Sequence, residues 1–531
     1  MRLAFGRFVG AALALLVLLP GWALASAIHI GNGAEPESLD IHRSSGVSEA
    51  NIQRDLFEGL VTLGPDAGLL PGAAESWTVS DDGLVYTFAL RPDARWSNDD
   101  PVTAHDFVYA LRRGLAPATA ADYAFILYPI NNAEAITRGD IDDMDELGVR
   151  AVDDLTLEIT LKAPTPYFLD MLTHQMAFPL HRESVEAHGD QWTKPGNMVS
   201  NGAYVLEDWA PQDRIKLSKN PAFHAADEVQ IETVYYYPTE DVGQELKRYR
   251  ADELDITYDV PADQVAWLID NLNDEFENFP YLGTYYYALN TAAAPFNGNP
   301  ALRQALSLAI DRDLLTEKIT RAGEVPAYAF VPPGVMNYTH QVPDVAALSK
   351  EEREAKAKAL YQEAGYSSDN PLTVEILYNT SDNHKKIAIA IAAMWKQVLG
   401  VEATLRNEEW KVYLASRDEK NFEVARAGWI GDYNDANTFL ELFLSDAGPM
   451  NTPGFADPEF DELVRAAAFR TDVEERAAML AQAENVLLDA AALIPIYHYT
   501  TQHMVKPHVG GWMNNVKDVH PTRFLWIDEE S

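Results

Sequence analysis

Three consecutive segments constrain the fold more than anything else in this chain. PLTVEILYN, from Pro371 to Asn379, reads as a strand. HKKIAIAIAAMWKQVLG follows, with Ile387, Ile391, Met394, Trp395 and Val398 on one helical stripe and Gly400 placed to end it in a left-handed cap. VEATLRN then returns as a strand. Strand, helix and strand in that order imply a right-handed crossover and a parallel pair. EEWKVYLASRD predicts a short further helix and FEVARAGWI a further strand. Arg426 to Asp432 therefore falls at and beyond a strand's carboxyl end, where open α/β sheets bind ligands.

That place in the chain is chemically unusual. RAGWIGDYNDANTF, Arg426 to Phe439, puts a cation, a large aromatic, glycines and acids side by side. A strand of pure packing does not need the charges, and a solvated loop does not need the tryptophan. The combination suits a wall that touches something zwitterionic. Gly428 and Gly431 invite close backbone approach. Asp435 reads as a turn or cap residue.

The remaining elements read as scaffold. Asp82-Gly83 is a hairpin turn signal, and the strand after it alternates Val85, Thr87 and Ala89 with Tyr86, Phe88 and Leu90. Thr103, with Asp106 at the third helical position, predicts a capped helix. Asn299 and Pro300 open another helix, whose stripe of Leu302, Ala305, Leu306, Ala309 and Ile310 is core.

A chain of 531 residues exceeds what one core supports, so two or more domains are expected. No fixed-period repeat or low-complexity linker separates them, which predicts interwoven domains. Arg2 and Arg7, the apolar run AALALLVLLP and ALAS at Ala23 to Ser26 predict a signal peptide over residues 1–25, with a cut after Ala25 or Ala27. No later segment reads as a membrane span. There is no cysteine, which excludes disulfides, thiolate chemistry, Cys-ligated zinc and a cysteine lipid anchor. An exported periplasmic protein is the expectation. The net charge of −40 repels DNA, RNA and anionic lipid, and its acids spread along helices as a solvated face does.

Catalytic signatures are absent: there is no H-E-x-x-H, G-x-S-x-G, P-loop or G-x-G-x-x-G. His181 with His188, or His498 with His503, could be proposed as metal pairs, but neither spacing comes with nearby acids, and no metal or cofactor is expected. Nothing selects an acid pair for hydrolysis. Aromatic density beside turn residues stands out instead, in VYYYP, LGTYYYALN, IPIYHYT, EWKVYL and AGWIGDY. Such residues supply flat apolar area with a polar handle.

WSNDDPVTAHDFVYALRR, GTYYYALNT, LRQALSLAIDR, YNTSDNHKKIAIAIAAMWKQVLGV, NEEWKVYLASR, ARAGWIGDYNDANTF and SLDIHRSSGVSEANIQRDLFEGL together closely resemble the oligopeptide-binding proteins of bacterial ABC importers, solute-binding protein family 5. The resemblance runs through essentially the whole chain after the signal peptide. It implies an α/β, two-lobed periplasmic-binding-protein-like fold of type II, cluster C, with an extra third domain. Residues 26–57, 182–283 and 500–531 would form lobe 1, residues 58–181 the extra domain and residues 284–499 lobe 2. It further implies an oligopeptide ligand, delivery to a cognate ABC permease with ATPase subunits, a monomer, and no enzymatic activity.

By the same resemblance the peptide lies extended between Gly428, Trp429 and Ile430 on one side and Val47 on the other. Asp432 matches the amine-binding aspartate. Arg426, Arg417 and His384 match groups that meet carboxylates, and Trp410, Trp429 and Tyr497 match aromatic walls. Ser45 stands where many members carry an acid, which weakens the expectation of a basic side chain at that pocket. The family's frequent cysteine pair is missing. Alternatives are a receptor of the same fold for a murein peptide, nickel complex, haem or opine, and an exported acid-pair hydrolase.

Overall fold

The strand–helix–strand unit forms as its pattern requires. In the computed structural model, which describes residues 26–470 and 472–528, Thr373–Asn379 and Glu402–Glu408 pair in parallel and Asp382–Leu399 crosses between them. The expected signal peptide lies outside the described residues. Ile387, Ile391 and Trp395 are buried on the inner face of the crossover helix, with Met394 and Val398 at its margin. Gly400 closes the helix at φ 77°. The Trp395 indole donates to the Leu306 carbonyl at 2.9 Å, fastening this helix to Pro300–Leu308, whose Asn299 cap accepts from the Leu302 N–H.

These elements belong to a six-stranded sheet. Its order is Val325–Pro326, Leu493–Met504, Phe276–Leu289, Val424–Ile430, Thr373–Asn379 and Glu402–Glu408. Val424–Ile430 runs parallel to Thr373–Asn379 and antiparallel to Phe276–Leu289, so the sheet is mixed.

A second, four-stranded sheet is ordered Ala27–Gly31, Thr233–Tyr237, Arg214–Lys219 and Tyr204–Ala210. A third is antiparallel, ordered Ala74–Val79, Val85–Leu90, Thr156–Thr160 and Val149–Asp153. Its first hairpin turns at Gly83, φ 71°, and Thr103 and Asp106 form the predicted capping box beside it.

The chain weaves these units together. Phe276–Leu289 and Leu493–Met504 pair along their length, with a register break between Pro280 and Thr284, opposite His498 to Thr500. Beyond their outer ends Val505 bridges Ile256, which in turn bridges Ile30 of the four-stranded sheet. Two strands thus link the six-stranded unit to the four-stranded one.

Candidate ligand cleft

A cavity of about 350 Å³ lies where the three units meet, within the size range of small-ligand sites. The six-stranded unit supplies His384, Trp410, Arg417, Arg426 and Gly428 to Asp432. The four-stranded unit and the terminal segment supply Val47, Arg54, Tyr258, Asp259 and Lys517, and the third unit supplies Tyr123 and His174.

One wall is a sheet edge. Val424–Ile430 pairs with Thr373–Asn379 only at Val424 and Ala425, so from Arg426 onward that edge has no strand partner. Gly428 leaves room there for the Tyr499 hydroxyl and the Arg426 guanidinium, which a Cβ would push aside. Across the cavity, Val47 is the first residue of the helix Val47–Leu56, so its N–H has no partner within the helix. Both backbones can pair with an extended guest.

Asp432 sits just past the strand. Its N–H donates to the Thr438 hydroxyl at 3.2 Å, while Oδ2 is buried without a hydrogen-bond partner. Burial pushes its carboxyl up to about 7, against the pull of Lys517, Arg54 and Thr438. His174 approaches to 3.8 Å, but burial and Arg54 hold that imidazole down near 3, so it is neutral and gives Asp432 no counter-charge.

Arg426 donates to Asn379 Oδ1 at 3.2 Å and to the Tyr499 hydroxyl at 3.0 Å, and its guanidinium lies 4.8 Å from the Tyr285 ring centre. It makes no ion pair with a carboxylate among the described residues, and its Nε is buried and unpartnered. Arg417 has a long 3.8 Å contact to Asp418 and lies 5.9 Å from the Tyr413 ring centre, and its Nε likewise has no hydrogen-bond partner. His384 begins the crossover helix 3.5 Å from the Tyr285 hydroxyl, held neutral by burial and by Arg426. Trp410 stacks on Tyr413, and Trp429 stacks on Tyr123 of the third unit at 6.0 Å; both indole N–H groups are buried without acceptors.

Tyr497, expected in the wall, is placed elsewhere. It is 5 % exposed, stacked on Tyr285 at 4.7 Å, and its backbone pairs with Pro326 of the edge strand. Tyr499, on the same face one pleat further, lies past the end of that short strand and lines the cavity instead.

The histidine pairs do not converge. His181 caps its own helix and reaches Asp100, and His498 bonds Thr284. His503 joins Asp518 and His520, a group that offers three ligand atoms within 4.8 Å of one another. His503 Nδ1 faces the Thr257 carbonyl at 2.8 Å and Nε2 faces Asp518 at 2.9 Å, so both nitrogens donate and the ring is a cation, pushed up to about 9. Asp518 is correspondingly held low, and the group is a buried ion pair.

Arg54, Lys517, His174, Tyr123, Tyr258 and Asp259 were not singled out by sequence. Arg54 reads as an ordinary basic residue in a last helical turn. The others lie on segments that approach only in the folded chain.

The pattern described as "Bacterial extracellular solute-binding proteins, family 5 Middle" matches residues 68–451. The chain is 42% identical to the periplasmic oligopeptide-binding protein OppA of Escherichia coli, covering 91% of this chain and 88% of that one. It is 40% identical to the periplasmic murein peptide-binding protein MppA of Escherichia coli, covering 93% and 91%. The crystal structure of Haemophilus influenzae OppA in complex with RPPGFSPFR superposes with a TM-score of 0.92 at 42% identity, covering 95% of this chain and 99% of that one. A structure of MppA also gives 0.92, whereas the unliganded open form of MppA gives 0.68 at similar coverage, so the arrangement seen here is not that open one. The chain belongs to the family 5 bacterial extracellular solute-binding proteins.

Proposed function

We propose that this protein is a periplasmic receptor that captures oligopeptides in a closing cleft and delivers them, as a monomer, to an ABC permease with ATPase subunits. The observation that carries the reading is a convergence of unsatisfied groups. Asp432, Arg426, Arg417, Trp410 and Trp429 each keep a buried polar atom without a partner, and all five line one cavity. Buried polar groups are normally paired, so this set awaits a guest. The guest must offer a cation to Asp432, an anion to the arginines and backbone groups to a sheet edge. An extended zwitterionic peptide does all three by strand addition, which tolerates varied side chains. Membership of a binding-protein family supports a receptor over an enzyme.

Lobe 1 is assigned to residues 26–57, 182–283 and 500–531, the extra domain to 58–181 and lobe 2 to 284–499, after export with loss of residues 1–25. Periplasmic location accords with the relatives, and among the described residues no helix is long and apolar enough to cross a membrane. The register break near Gly283 and Tyr499 supports a hinge between the lobes there. Solution scattering is expected to show compaction when a tight peptide saturates the protein; an unchanged radius at saturation would remove the hinge assignment.

Recognition of peptide length follows from the spacing of cations. An extended peptide advances about 3.3 Å per residue, so each added residue carries its carboxylate further from Asp432. Arg426 is assigned to short peptides, with Arg417 serving longer ones as a cation and His384, neutral in this cleft, as an N–H donor. Calorimetry with peptides of two to five residues is expected to show Arg426→Ala weakening the shorter ones most and Arg417→Ala the longer ones. A uniform loss across lengths would contradict the assignment.

A murein peptide is the second reading, because MppA aligns as fully as OppA does. Mass spectrometry of ligand co-purified from the native host separates the two.

A further inference from the structure

We infer that Asp259, with Asn383 and Glu245, forms a subsite for the basic side chain of a guest residue near the peptide's carboxyl end. This rests on the peptide-receptor reading and sharpens it to a side-chain preference.

The four carboxylates in the cavity wall are not equivalent. Asp518 is taken by His503 and His520. Asp432 stands at the amine end, between His174, Lys517 and Arg54. Glu240 is half-buried and faces another acid, Glu409, across the cleft. Asp259 makes no ion pair among the described residues. Its Oδ1 accepts the neighbouring Val260 N–H at 2.7 Å, and the Asn383 side chain lies beside its carboxyl.

What surrounds Asp259 is a shortage of donors. Asn383 lies beside Asp259, and its Oδ1 is buried with no partner. Behind Asp259, Glu245 is 0 % exposed; one oxygen accepts the Tyr258 N–H at 2.9 Å and Oε2 has no partner. Glu324 adds further negative charge. His503, a cation felt at Asp259, is bound to Asp518, and Lys386 on the Asn383 helix faces Asp263 at 3.8 Å. Burial pushes Asp259 up to about 7 and Glu245 up to about 8, the state of acids lacking a counter-ion. Oxygen acceptors that outnumber donors around an unpaired buried carboxylate complement an ammonium, whose three N–H groups all donate.

The position along the guest follows from neighbours. Tyr258 and Tyr499, which border Asp259, are the aromatics that also border Arg426, and Asn383 adjoins His384. Asp259 therefore lies toward the carboxylate-binding end, away from Asp432. Gly31 permits the arrangement, since a Cβ there would occupy the place of the Glu245 carboxylate.

The test uses the whole protein freed of bound peptide, calorimetry, and tripeptides that differ at one residue. Ala-Ala-Lys is compared with Ala-Ala-norleucine, with Ala-Ala-(Nε-acetyl-lysine), and with Lys-Ala-Ala. The expected result is at least tenfold tighter binding of Ala-Ala-Lys than of the norleucine or acetylated peptide, and no comparable gain for Lys-Ala-Ala. Asp259→Asn should erase that advantage, bringing the affinities of Ala-Ala-Lys and Ala-Ala-norleucine together. Equal affinity for the lysine, norleucine and acetyl-lysine peptides, or an advantage that survives Asp259→Asn, overturns the subsite while peptide binding itself stands. Failure of every tripeptide to bind overturns the receptor reading and the subsite with it. The acetyl-lysine comparison is made on the unaltered protein, so it decides the matter even if the variant does not fold.

Discussion

Asp432→Ala is expected to lower affinity for a free tripeptide by two to three orders of magnitude or more. The ammonium would enter a closed site where Asp432 Oδ2 has no other partner and His174 is neutral. A charge-assisted bond there is far stronger than the same pair in water. Removing one partner of such a desolvated pair costs about 3–5 kcal/mol. N-acetylated peptide should show a similar loss against the unmodified protein, since it lacks the cation. pH offers an independent check. In the empty cleft Asp432 titrates near 7, raised by burial, so below that pH it carries a proton that the ammonium must displace. Affinity for free peptide should therefore fall by up to about tenfold per pH unit below about 7, and level off above it until the peptide amine itself deprotonates near ~8. Asp432→Asn should flatten the acidic limb. Calorimetry that finds equal affinity for free and acetylated peptides would show that Asp432 does not read the amine.

What could be read from sequence was what neighbours along the chain decide. The parallel pair around Asp382–Leu399, the Gly400 cap and the Thr103–Asp106 capping box follow from local periodicity and local hydrogen bonds, and they form as expected. The wall from Arg426 to Asp432 was visible for the same reason: its unusual residues adjoin one another. Tyr497 and Tyr499 share a face, and local pattern cannot tell which one is covered. That is settled by contacts from elsewhere in the chain: Tyr497 stacks on Tyr285 and pairs with Pro326, while Tyr499 lies past that strand's end. Arg54, His174, Asp259 and Lys517 each look ordinary in place and matter only because three units bring them to one cavity. Asp435 shows both limits. Its capping bond to the Asn437 N–H, at 2.9 Å, accords with a turn or cap residue. Its second partner is Arg476, on a helix that no local pattern ties to it.

That partnership makes Asp435→Ala a stability variant. Both carboxylate oxygens accept from the two Arg476 Nη groups at 2.7 Å, and the two residues are 7 % and 8 % exposed. The Arg476 guanidinium lies 4.9 Å from the Tyr167 ring centre, and Tyr167 stacks on Tyr433 at 4.8 Å with the rings nearly parallel. Tyr433 in turn donates to Glu441 at 2.7 Å. The pair thus braces the loop that presents Asp432 and ties it to the third unit through Tyr167. Alanine at Asp435 would leave a buried guanidinium unpaired, which costs about 3–5 kcal/mol, far above the ~1 kcal/mol ceiling of an exposed pair. Chemical denaturation and calorimetry are expected to show that loss. Peptide affinity at a temperature where the variant remains folded should fall less than in Asp432→Ala, because Asp435 faces Arg476 and not the cavity. The combined Asp435→Ala, Arg476→Leu variant should recover much of the stability, since removing both partners leaves no stranded charge. If the double variant is no more stable than Asp435→Ala alone, then the unpaired guanidinium is not the source of the loss, and lost packing between Tyr167 and Tyr433 would have to carry it.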